Sequence, residues 1–389
     1  MHKVLVTEAL SDEGLARLRE SMEVDVREGL SQAELLEIIG HYDALIVRSR
    51  TRVTADLLRA ATRLQIVARA GSGVDNIDVD AATRQGVVVV NAPYGTTVAV
   101  AEHTMALMLA LARNVPAADA AMKAGGWPKG SLEGTELRGK TLGIIGLGRI
   151  GSALAKRAAA FEMRLLAYDP FVAVEYASRL GVELVPLDDL LRTADFVSIH
   201  IPGSDRTRNL IGAEQIALMK PTARLINCSR GGIIDEEALC RALADGKIAG
   251  AALDVFAKEP PGPTDLVCSS KVVCTPHLAA STEEAQENCA IDVAVQVLEF
   301  LSGRPARYPV NMPALSSDEM AALGPFLDLA GRLGNFYNQL AGDGLKRLEL
   351  IYSGETGELN TSLLRAATLV GLLKPVSEEP VNLVNADAV

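Results

Sequence analysis

A glycine-rich turn between two short apolar runs constrains this chain more than any other part of its sequence. Thr141–Ile145 is an apolar run typical of a buried strand, and the turn Gly146–Gly151, of sequence G-L-G-R-I-G, follows it. An alanine-rich helical pattern comes next, at 152–161, and a second apolar run, 163–168, ends at Asp169. Strand, glycine turn, helix and a strand ending in an acid predict a nucleotide-binding βαβ unit.

Each part of this unit has a physical reason to hold a dinucleotide. Gly146 allows the tight turn, Gly148 lets the backbone approach a pyrophosphate, and Gly151 lets the helix pack closely on the strand. The start of the helix offers unpaired N–H groups and a partial positive charge to phosphates. The Asp169 carboxylate can accept hydrogen bonds from both ribose hydroxyls and would repel a 2′-phosphate. The sequence therefore predicts NAD as the cofactor in preference to NADP.

The composition bounds the class of protein. At 389 residues the chain exceeds one ordinary core, and its 49% hydrophobic and 22% charged residues are typical of a globular protein of two or three domains. No apolar run approaches the ~18 residues of a membrane span, so no membrane partner is expected. The net charge of −11 argues against a nucleic-acid partner and means that an anionic substrate needs local basic residues. The five cysteines are scattered and lack metal-ligand spacing, so we expect reduced thiols and no metal. The chain starts directly in a strand pattern, and we expect a cytoplasmic location.

Short apolar runs alternate with helix patterns through residues 1–95 and again through 140–277. Three of the helix patterns in the first region follow an N-cap side chain, namely Ser11, Ser31 and Thr54. This alternation predicts parallel sheets covered on both faces, with the ligand-binding loops at the carboxyl ends of the strands.

We therefore expect an α/β protein with two doubly wound parallel-sheet domains, a flavodoxin-like substrate-binding domain and a Rossmann NAD domain, and a small, incomplete α+β C-terminal unit. Residues 97–113 form a strongly apolar helix pattern, expected to be buried between domains or subunits. The expected domains are 1–96 with 279–302 for substrate, 97–278 for NAD, a linker at 303–317 and the C-terminal unit at 318–389.

The C-terminal unit has a mixed pattern. It predicts a helix to about Leu340, a strand Arg347–Tyr352, a helix Thr361–Leu373 and an extended segment Pro380–Asn385. We expect that last segment to be poorly ordered or paired with another subunit.

Three polar residues follow three different strands of the second predicted sheet, namely Arg230, Glu259 and His277. Oxidation of an alcohol by NAD needs a base for the hydroxyl proton and a cation that holds the substrate. The His277 imidazole titrates near neutral pH, Glu259 can fix its tautomer, and Arg230 can bind a carboxylate in a forked contact. Each residue also has a structural explanation, such as a helix cap for Arg230 or simple exposure for Glu259. As a set at successive strand ends, they predict a catalytic site.

The order of these motifs resembles the D-isomer-specific 2-hydroxyacid dehydrogenase family. The matching stretches read GLGRIG, YDP, NCSRGGIIDEEAL, AALDVFAKEPP and TPHLAAST, and the resemblance runs from about Lys3 to the C-terminus. It implies the roles given above for the three catalytic candidates. It also implies contacts to NAD from Arg149, Ile150, Cys228, Asp254, His277, Ala279 and Ala280, and contacts to the substrate from Ser72 and Gly73.

Further stretches, such as RAGSGVDNIDVDAA and HLAASTEEAQ, resemble the members that oxidise D-3-phosphoglycerate to 3-phosphohydroxypyruvate at the first step of L-serine biosynthesis. The resemblance implies a phosphorylated 2-hydroxyacid substrate bound in a cleft between the two α/β domains, and a homodimer or homotetramer. Arg48 and Arg69 follow adjacent strands and are the candidates for binding the phosphate, with Arg50 and Lys129 as weaker ones. The C-terminal unit resembles only the beginning of the extra domain of longer enzymes, so we expect no serine feedback.

Two other functions fit the same motifs. Another member of the family would reduce glyoxylate, hydroxypyruvate or 2-oxoglutarate, and would not depend on Arg48 and Arg69 for a phosphate. A NAD(H)-sensing corepressor would keep the glycine turn without turnover, but the presence of all three catalytic residue types favours an enzyme. His200 also ends a predicted strand, and we interpret it as structural because no acid is placed beside it.

Overall fold

Two parallel β-sheets with helices between their strands organise the chain. The computed structural model describes residues 1–314, 317–340, 345, 347–354, 357, 361–377, 380–387 and 389. The chain divides into two units, the first made of 1–96 with 286–389 and the second of 97–285. The linker at 303–317 stays a prediction, and its residues 315–316 lie outside the described residues.

The sheet of the first unit has five strands, all parallel, in the order β2-β1-β3-β4-β5, which is the flavodoxin-like order. Its elements are β1 (Lys3–Val6), α1 (Asp12–Arg19), β2 (Glu23–Val26), α2 (Gln32–Ile38), β3 (Ala44–Val47), α3 (Ala55–Ala60), β4 (Ile66–Arg69), α4 (Val79–Arg84) and β5 (Val88–Asn91). The three predicted N-caps are confirmed, because the Ser11, Ser31 and Thr54 hydroxyls accept hydrogen bonds from the first turns of α1, α2 and α3.

The second unit holds a seven-stranded parallel sheet in the order β12-β11-β10-β9-β6-β7-β8, with the strand of the glycine turn in its interior. Two helices precede the sheet, α5 (Thr97–Ala112) and α6 (Val115–Lys123). The remaining elements are β6 (Thr141–Ile145), α7 (Arg149–Ala160), β7 (Arg164–Tyr168), α8 (Val174–Arg179), β8 (Glu183–Leu184), α9 (Leu187–Thr193), β9 (Phe196–Ile199), α10 (Ala213–Leu218), β10 (Arg224–Asn227), α11 (Glu236–Ala244), β11 (Gly250–Leu253) and β12 (Val272–Cys274). The doubly wound fold class is confirmed for both sheets.

The apolar helix α5 contributes to the core of the second unit. Its Met105, Met108 and Leu111 are buried in one cluster with Leu154 of α7 and Phe196 of β9. Its buried residues therefore have partners inside this unit, whereas the sequence pattern suggested burial between domains or subunits.

The C-terminal part of the first unit is helical. A long helix α12 (Glu283–Leu301) packs its Val293 and Val297 against the first sheet, and α13 (Ser317–Leu340) packs against α14 (Ser362–Leu373). Gly334 and Gly371 allow α13 and α14 to approach closely, because a side chain at either position would collide with the backbone of the facing helix.

The predicted strand at Arg347–Tyr352 is wrong: those residues have irregular structure, and no strand in the described part of the chain pairs with them. A strand needs a neighbour for its backbone hydrogen bonds, and an apolar alternation alone does not supply one. The extended segment predicted at Pro380–Asn385 ends in a turn and is held within the unit. The Asn382 side chain donates to Gly86 O at 2.7 Å, and the Asn385 side chain donates to Arg84 O at 3.2 Å.

Among the described residues, no helix combines the length and apolar character that crossing a membrane requires.

Phe196 provides a test of the second core, because its side chain is 0% exposed on an interior strand. We expect Phe196→Ala to lower the free energy of unfolding by about 3–5 kcal/mol through lost apolar burial and a cavity. Phe171→Ala is the control, since that ring is 93% exposed, and should change it by about 0.5 kcal/mol or less. Chemical denaturation followed by circular dichroism measures both, and equal losses in the two variants would contradict this account of the core.

Candidate active site and cofactor site

The glycine turn after β6 forms an open cradle of backbone. Gly146 has a φ of +95°, and a side chain there would collide with His200 O, while one at Gly151 would collide with Gly146 O. At Gly148 no heavy atom lies within 4 Å of where a Cβ would stand, so the backbone faces open space. The N-cap of α7 is Gly148, which makes no side-chain hydrogen bond to the start of the helix. This cradle fits a pyrophosphate.

Asp169 is fixed beside that cradle. Its Oδ2 accepts a hydrogen bond from Leu147 N at 2.8 Å, and its Oδ1 accepts one from Phe171 N at 2.9 Å. Each carboxylate oxygen keeps a second acceptor site for a ribose hydroxyl. Of the predicted pyrophosphate contacts, Arg149 is exposed at the start of α7, and Ile150 packs partly into the core.

The structure brings Glu259 and His277 together. The Nδ1 of His277 lies 2.9 Å from Oε2 of Glu259, and Oε1 of Glu259 accepts a hydrogen bond from Phe256 N at 3.1 Å. Glu259 is thus anchored by the loop after β11 while it holds the imidazole of the loop after β12. With Nδ1 facing the carboxylate, the Nε2 of His277 is left to exchange a proton with a ligand.

A buried acid holds the loop that carries His277. Asp254, 0% exposed at the end of β11, accepts hydrogen bonds from Thr275 Oγ1 (2.6 Å), Leu278 N (2.7 Å) and Ala279 N (2.9 Å). The backbone N–H of His277 donates to Asp254 O at 2.8 Å, and His277 has a φ of +55°. Asp254 therefore fixes the backbone on both sides of the imidazole.

The ionised form of Asp254 is stabilised by these donors. Burial alone would raise its pKa, but hydrogen bonds from His103, Thr275 and the loop backbone outweigh burial and hold the pKa of Asp254 below its usual range. A fixed negative charge thus lies under the His277 loop at neutral pH.

His103 of α5 belongs to the same network, and sequence reasoning missed it. Its Nε2 lies 3.1 Å from Thr275 Oγ1 and 3.4 Å from Asp254 Oδ1. The available signal was the single imidazole within the strongly apolar helix pattern of residues 97–113. That pattern indicated a buried helix but not which strand end the imidazole would meet.

Arg230 lies in the loop after β10, which neighbours β11 in the sheet. Its carbonyl accepts a hydrogen bond from Asn227 Nδ2 at 2.9 Å, and its Nη1 donates to Ser229 O at 2.7 Å. The next residue, Gly231, is pressed against the Phe256 backbone, where any side chain would collide. The Arg230 loop therefore packs against the loop of Glu259.

The alternative role of Arg230 as a helix cap is not supported. The N-cap of α11 is Asp235, whose Oδ1 accepts a hydrogen bond from Ala238 N at 2.9 Å.

Three further predicted cofactor contacts are largely enclosed. Cys228 is 5% exposed and burial raises the pKa of its thiol to about 12, so it is neutral at physiological pH. Ala279 is buried, and Ala280 packs against the same core. His200 is half-buried: burial of its imidazole lowers its pKa to about 4, and its Nε2 lies 2.8 Å from Ser198 Oγ. An imidazole that is neutral at physiological pH and bonded to Ser198 agrees with the structural interpretation of His200.

The phosphate-binding candidates lie in the first unit, at the ends of the adjacent strands β3 and β4. Arg48 donates from Nη1 to Ala9 O at 3.2 Å, and Arg69 donates from Nε to Asn76 Oδ1 at 3.2 Å. The predicted substrate contacts Ser72 and Gly73 follow in the loop after β4, where Ser72 O accepts a hydrogen bond from Asn91 Nδ2. The weaker candidates Arg50 and Lys129 are both exposed, the former in the Arg48 loop and the latter in the second unit.

Comparisons with known proteins identify the family of the chain. Residues 105–279 match the NAD-binding domain model of D-isomer specific 2-hydroxyacid dehydrogenases, and residues 322–389 match the D-3-phosphoglycerate dehydrogenase intervening domain. Among solved structures, a D-lactate dehydrogenase from Aquifex aeolicus complexed with NAD and lactic acid is similar, with 29% identity and a TM-score of 0.71 over 80% of this chain and 100% of that one.

Curated relatives match along nearly the whole chain. The D-3-phosphoglycerate dehydrogenase of Synechocystis is 52% identical over 99% of this chain and 70% of its own length, and that of Methanocaldococcus jannaschii is 49% identical over 99% and 74%. The Bacillus subtilis enzyme of the same name is 45% identical over 100% and 74%. The chain belongs to the D-isomer-specific 2-hydroxyacid dehydrogenase family, in its D-3-phosphoglycerate dehydrogenase branch.

Proposed function

We propose that this chain oxidises D-3-phosphoglycerate to 3-phosphohydroxypyruvate with NAD, the first step of L-serine biosynthesis. The 2.9 Å contact between His277 and Glu259 carries the proposal, because it supplies an oriented base in the same unit as a dinucleotide cradle. The names of the relatives supply the substrate.

In this proposal each catalytic residue has one role. Arg230 binds the substrate carboxylate through its planar guanidinium and orients the neighbouring hydroxyl. His277 takes the hydroxyl proton at Nε2, since its Nδ1 faces Glu259. Glu259 holds the imidazole in one tautomer and stabilises the imidazolium that forms. NAD, when bound, accepts the hydride from the substrate carbon.

The cofactor would be held by residues of the second unit. Gly148, Arg149 and Ile150 would face the pyrophosphate at the start of α7, and Asp169 would accept the adenosine ribose hydroxyls. On the nicotinamide side, the contacts proposed from the resemblance are Cys228, Asp254, Ala279 and Ala280. The fixed carboxylate of Asp169 supports the first part of this assignment, because its two backbone contacts aim it beside the cradle.

The substrate phosphate would be bound in the first unit by Arg48 and Arg69, with the Ser72–Gly73 loop at the substrate carboxylate. Guanidinium groups are suited to a phosphate because they bind two of its oxygens at once. The hydrogen-bonded link between the two arginine loops through Asn76 supports their acting on one group.

A homo-oligomer in the cytoplasm completes the proposal. Helix α6 supports an oligomer, since it has no buried residue and exposes Val115 and Met122, and the following loop exposes Trp127. Light scattering of the purified protein tests this part, and a monomer mass would contradict it.

The catalytic pair should behave as one unit. We expect Glu259→Gln to lower kcat about 100-fold or more, because the imidazole loses its orienting charge, and His277→Gln to lower it about 1,000-fold or more. The double variant should be no slower than His277→Gln alone. Steady-state NADH formation measures all three, with Glu175→Gln, an exposed acid on α8, as the control. Multiplicative losses in the double variant would show that the two residues act separately.

Asp169 should decide between the two dinucleotides. We expect Asp169→Asn to raise the KM for NAD about tenfold and to lower the NAD:NADP ratio of kcat/KM by about 100-fold, since the charge that repels a 2′-phosphate is removed. Kinetics with each dinucleotide measure this ratio. An unchanged ratio would remove Asp169 from the ribose site.

Phosphate recognition separates this function from its nearest rival, the reduction of glyoxylate or a related 2-oxoacid. We expect Arg48→Ala and Arg69→Ala each to raise the KM for D-3-phosphoglycerate about 10- to 100-fold, since a charge-assisted contact is lost.

The assay compares D-3-phosphoglycerate with a panel of unphosphorylated D-2-hydroxyacids, and Arg59→Ala on α3 is the matched control. Equal effects of Arg48→Ala and Arg69→Ala on phosphorylated and unphosphorylated substrates would favour the rival. Undetectable turnover across the panel with NAD bound would favour a NAD(H)-sensing binding protein.

A further inference from the structure

A buried carboxylate shapes the turn that carries Arg48. Glu8 follows β1 with one residue between, and its side chain is 5% exposed. Its Oε1 accepts hydrogen bonds from Arg48 N at 2.9 Å and Thr51 N at 3.0 Å, and Arg50 N donates to both carboxylate oxygens at 3.1 and 3.2 Å. Three backbone amides of one turn thus converge on one side chain of the loop after β1.

The charge of Glu8 matters to this arrangement. Burial alone would raise the pKa of Glu8, but hydrogen bonds from Thr51, Arg48 and Arg50 outweigh burial and hold the pKa below its ordinary value. An ionised carboxylate accepts hydrogen bonds at both oxygens, whereas a glutamine would present an NH₂ group to the Arg50 amide. The turn is therefore matched to a carboxylate and not merely to a side chain of that size.

The opposite edge of the same turn is held by Asn76. Its Nδ2 donates to Arg48 O at 2.9 Å and to Thr51 O at 2.6 Å, while its Oδ1 accepts from Arg69 Nε at 3.2 Å. One amide side chain thus contacts the Arg48 turn and the Arg69 guanidinium. Glu8 thus accepts hydrogen bonds from the amides of the turn, and Asn76 donates hydrogen bonds to its carbonyls.

On the basis of the proposed function, we propose that Glu8 and Asn76 are positioning residues that set the separation of Arg48 and Arg69 and thereby the affinity for the substrate phosphate. Neither acts on the reacting atoms. A rigid placement of two guanidinium groups lets both bind one phosphate without first ordering a loop, and small displacements of such groups weaken binding steeply.

The test uses Glu8→Gln and Asn76→Ser, with Glu28→Gln as a control that removes the same charge from an exposed position of the same unit. Each variant is assayed with D-3-phosphoglycerate and NAD, and its melting temperature is measured. We expect both test variants to raise the KM for D-3-phosphoglycerate about tenfold, with kcat and the KM for NAD changed less than about twofold. The control should match the wild type in all four quantities.

The outcomes separate positioning from a general structural role. A KM for D-3-phosphoglycerate that stays at the wild-type value in both variants overturns the inference, as does a parallel change in kcat and in the KM for NAD. If Glu8→Gln does not fold, Asn76→Ser alone decides, because Asn76 is only half-buried. Failure of the wild type to oxidise D-3-phosphoglycerate while it oxidises another D-2-hydroxyacid would refute the proposed function, and this inference with it.

Discussion

The hydrogen bonds that gather around Asp254 are the constraint on which the proposed chemistry depends. The side chain of a catalytic base can be aimed only if its backbone is fixed, and a loop after an outer strand has few backbone partners of its own. Asp254 supplies them from the neighbouring strand, by accepting from Thr275, Leu278 and Ala279. The His277–Glu259 contact is then made from a loop that is already held in place.

Acidic side chains that accept hydrogen bonds from loop backbone also lie at other strand ends. Glu8 accepts hydrogen bonds from the Arg48 turn in the first unit. Asp169 accepts one from the glycine turn and one from the loop that follows β7. Two further acids lie at the amino ends of strands. Asp43 accepts a hydrogen bond from Lys3 N and pairs with Arg63. Asp195 accepts a hydrogen bond from Thr141 N and pairs with Lys220. In each case a buried or half-buried carboxylate accepts hydrogen bonds from backbone amides that have no partner in the parallel sheet. Buried amides need such a partner because they have lost their hydrogen bonds to water. Acids at strand ends in this chain thus order the loops beside them.

Much of the site could be predicted from local sequence because its parts are local. The tight turn at Gly146, the helix start at Arg149 and the acid at Asp169 lie within one βαβ unit, so spacing alone places them. Glu259 and His277 could be predicted as a pair only through the rule that loops after parallel strands share one edge, and that rule gives no distance. His103 escaped prediction because it comes from a helix remote in sequence, and the strand at Arg347–Tyr352 was wrong because pairing requires a partner that local pattern does not show.

By itself the sequence determined the class of fold, the glycine cradle with its acid, and the three residue types needed for alcohol oxidation, since these depend on short-range periodicity and on side-chain chemistry. Only the tertiary structure decided how closely Glu259 approaches His277, that Asp254 and His103 lie under the His277 loop, and that Glu8 and Asn76 hold the Arg48 turn. The reason is that strand order within a sheet, here β12-β11-β10 in one unit and β1-β3-β4 in the other, brings together residues far apart in the chain. Hydrogen bonds between such residues depend on distances of a few tenths of an ångström, which no sequence spacing encodes.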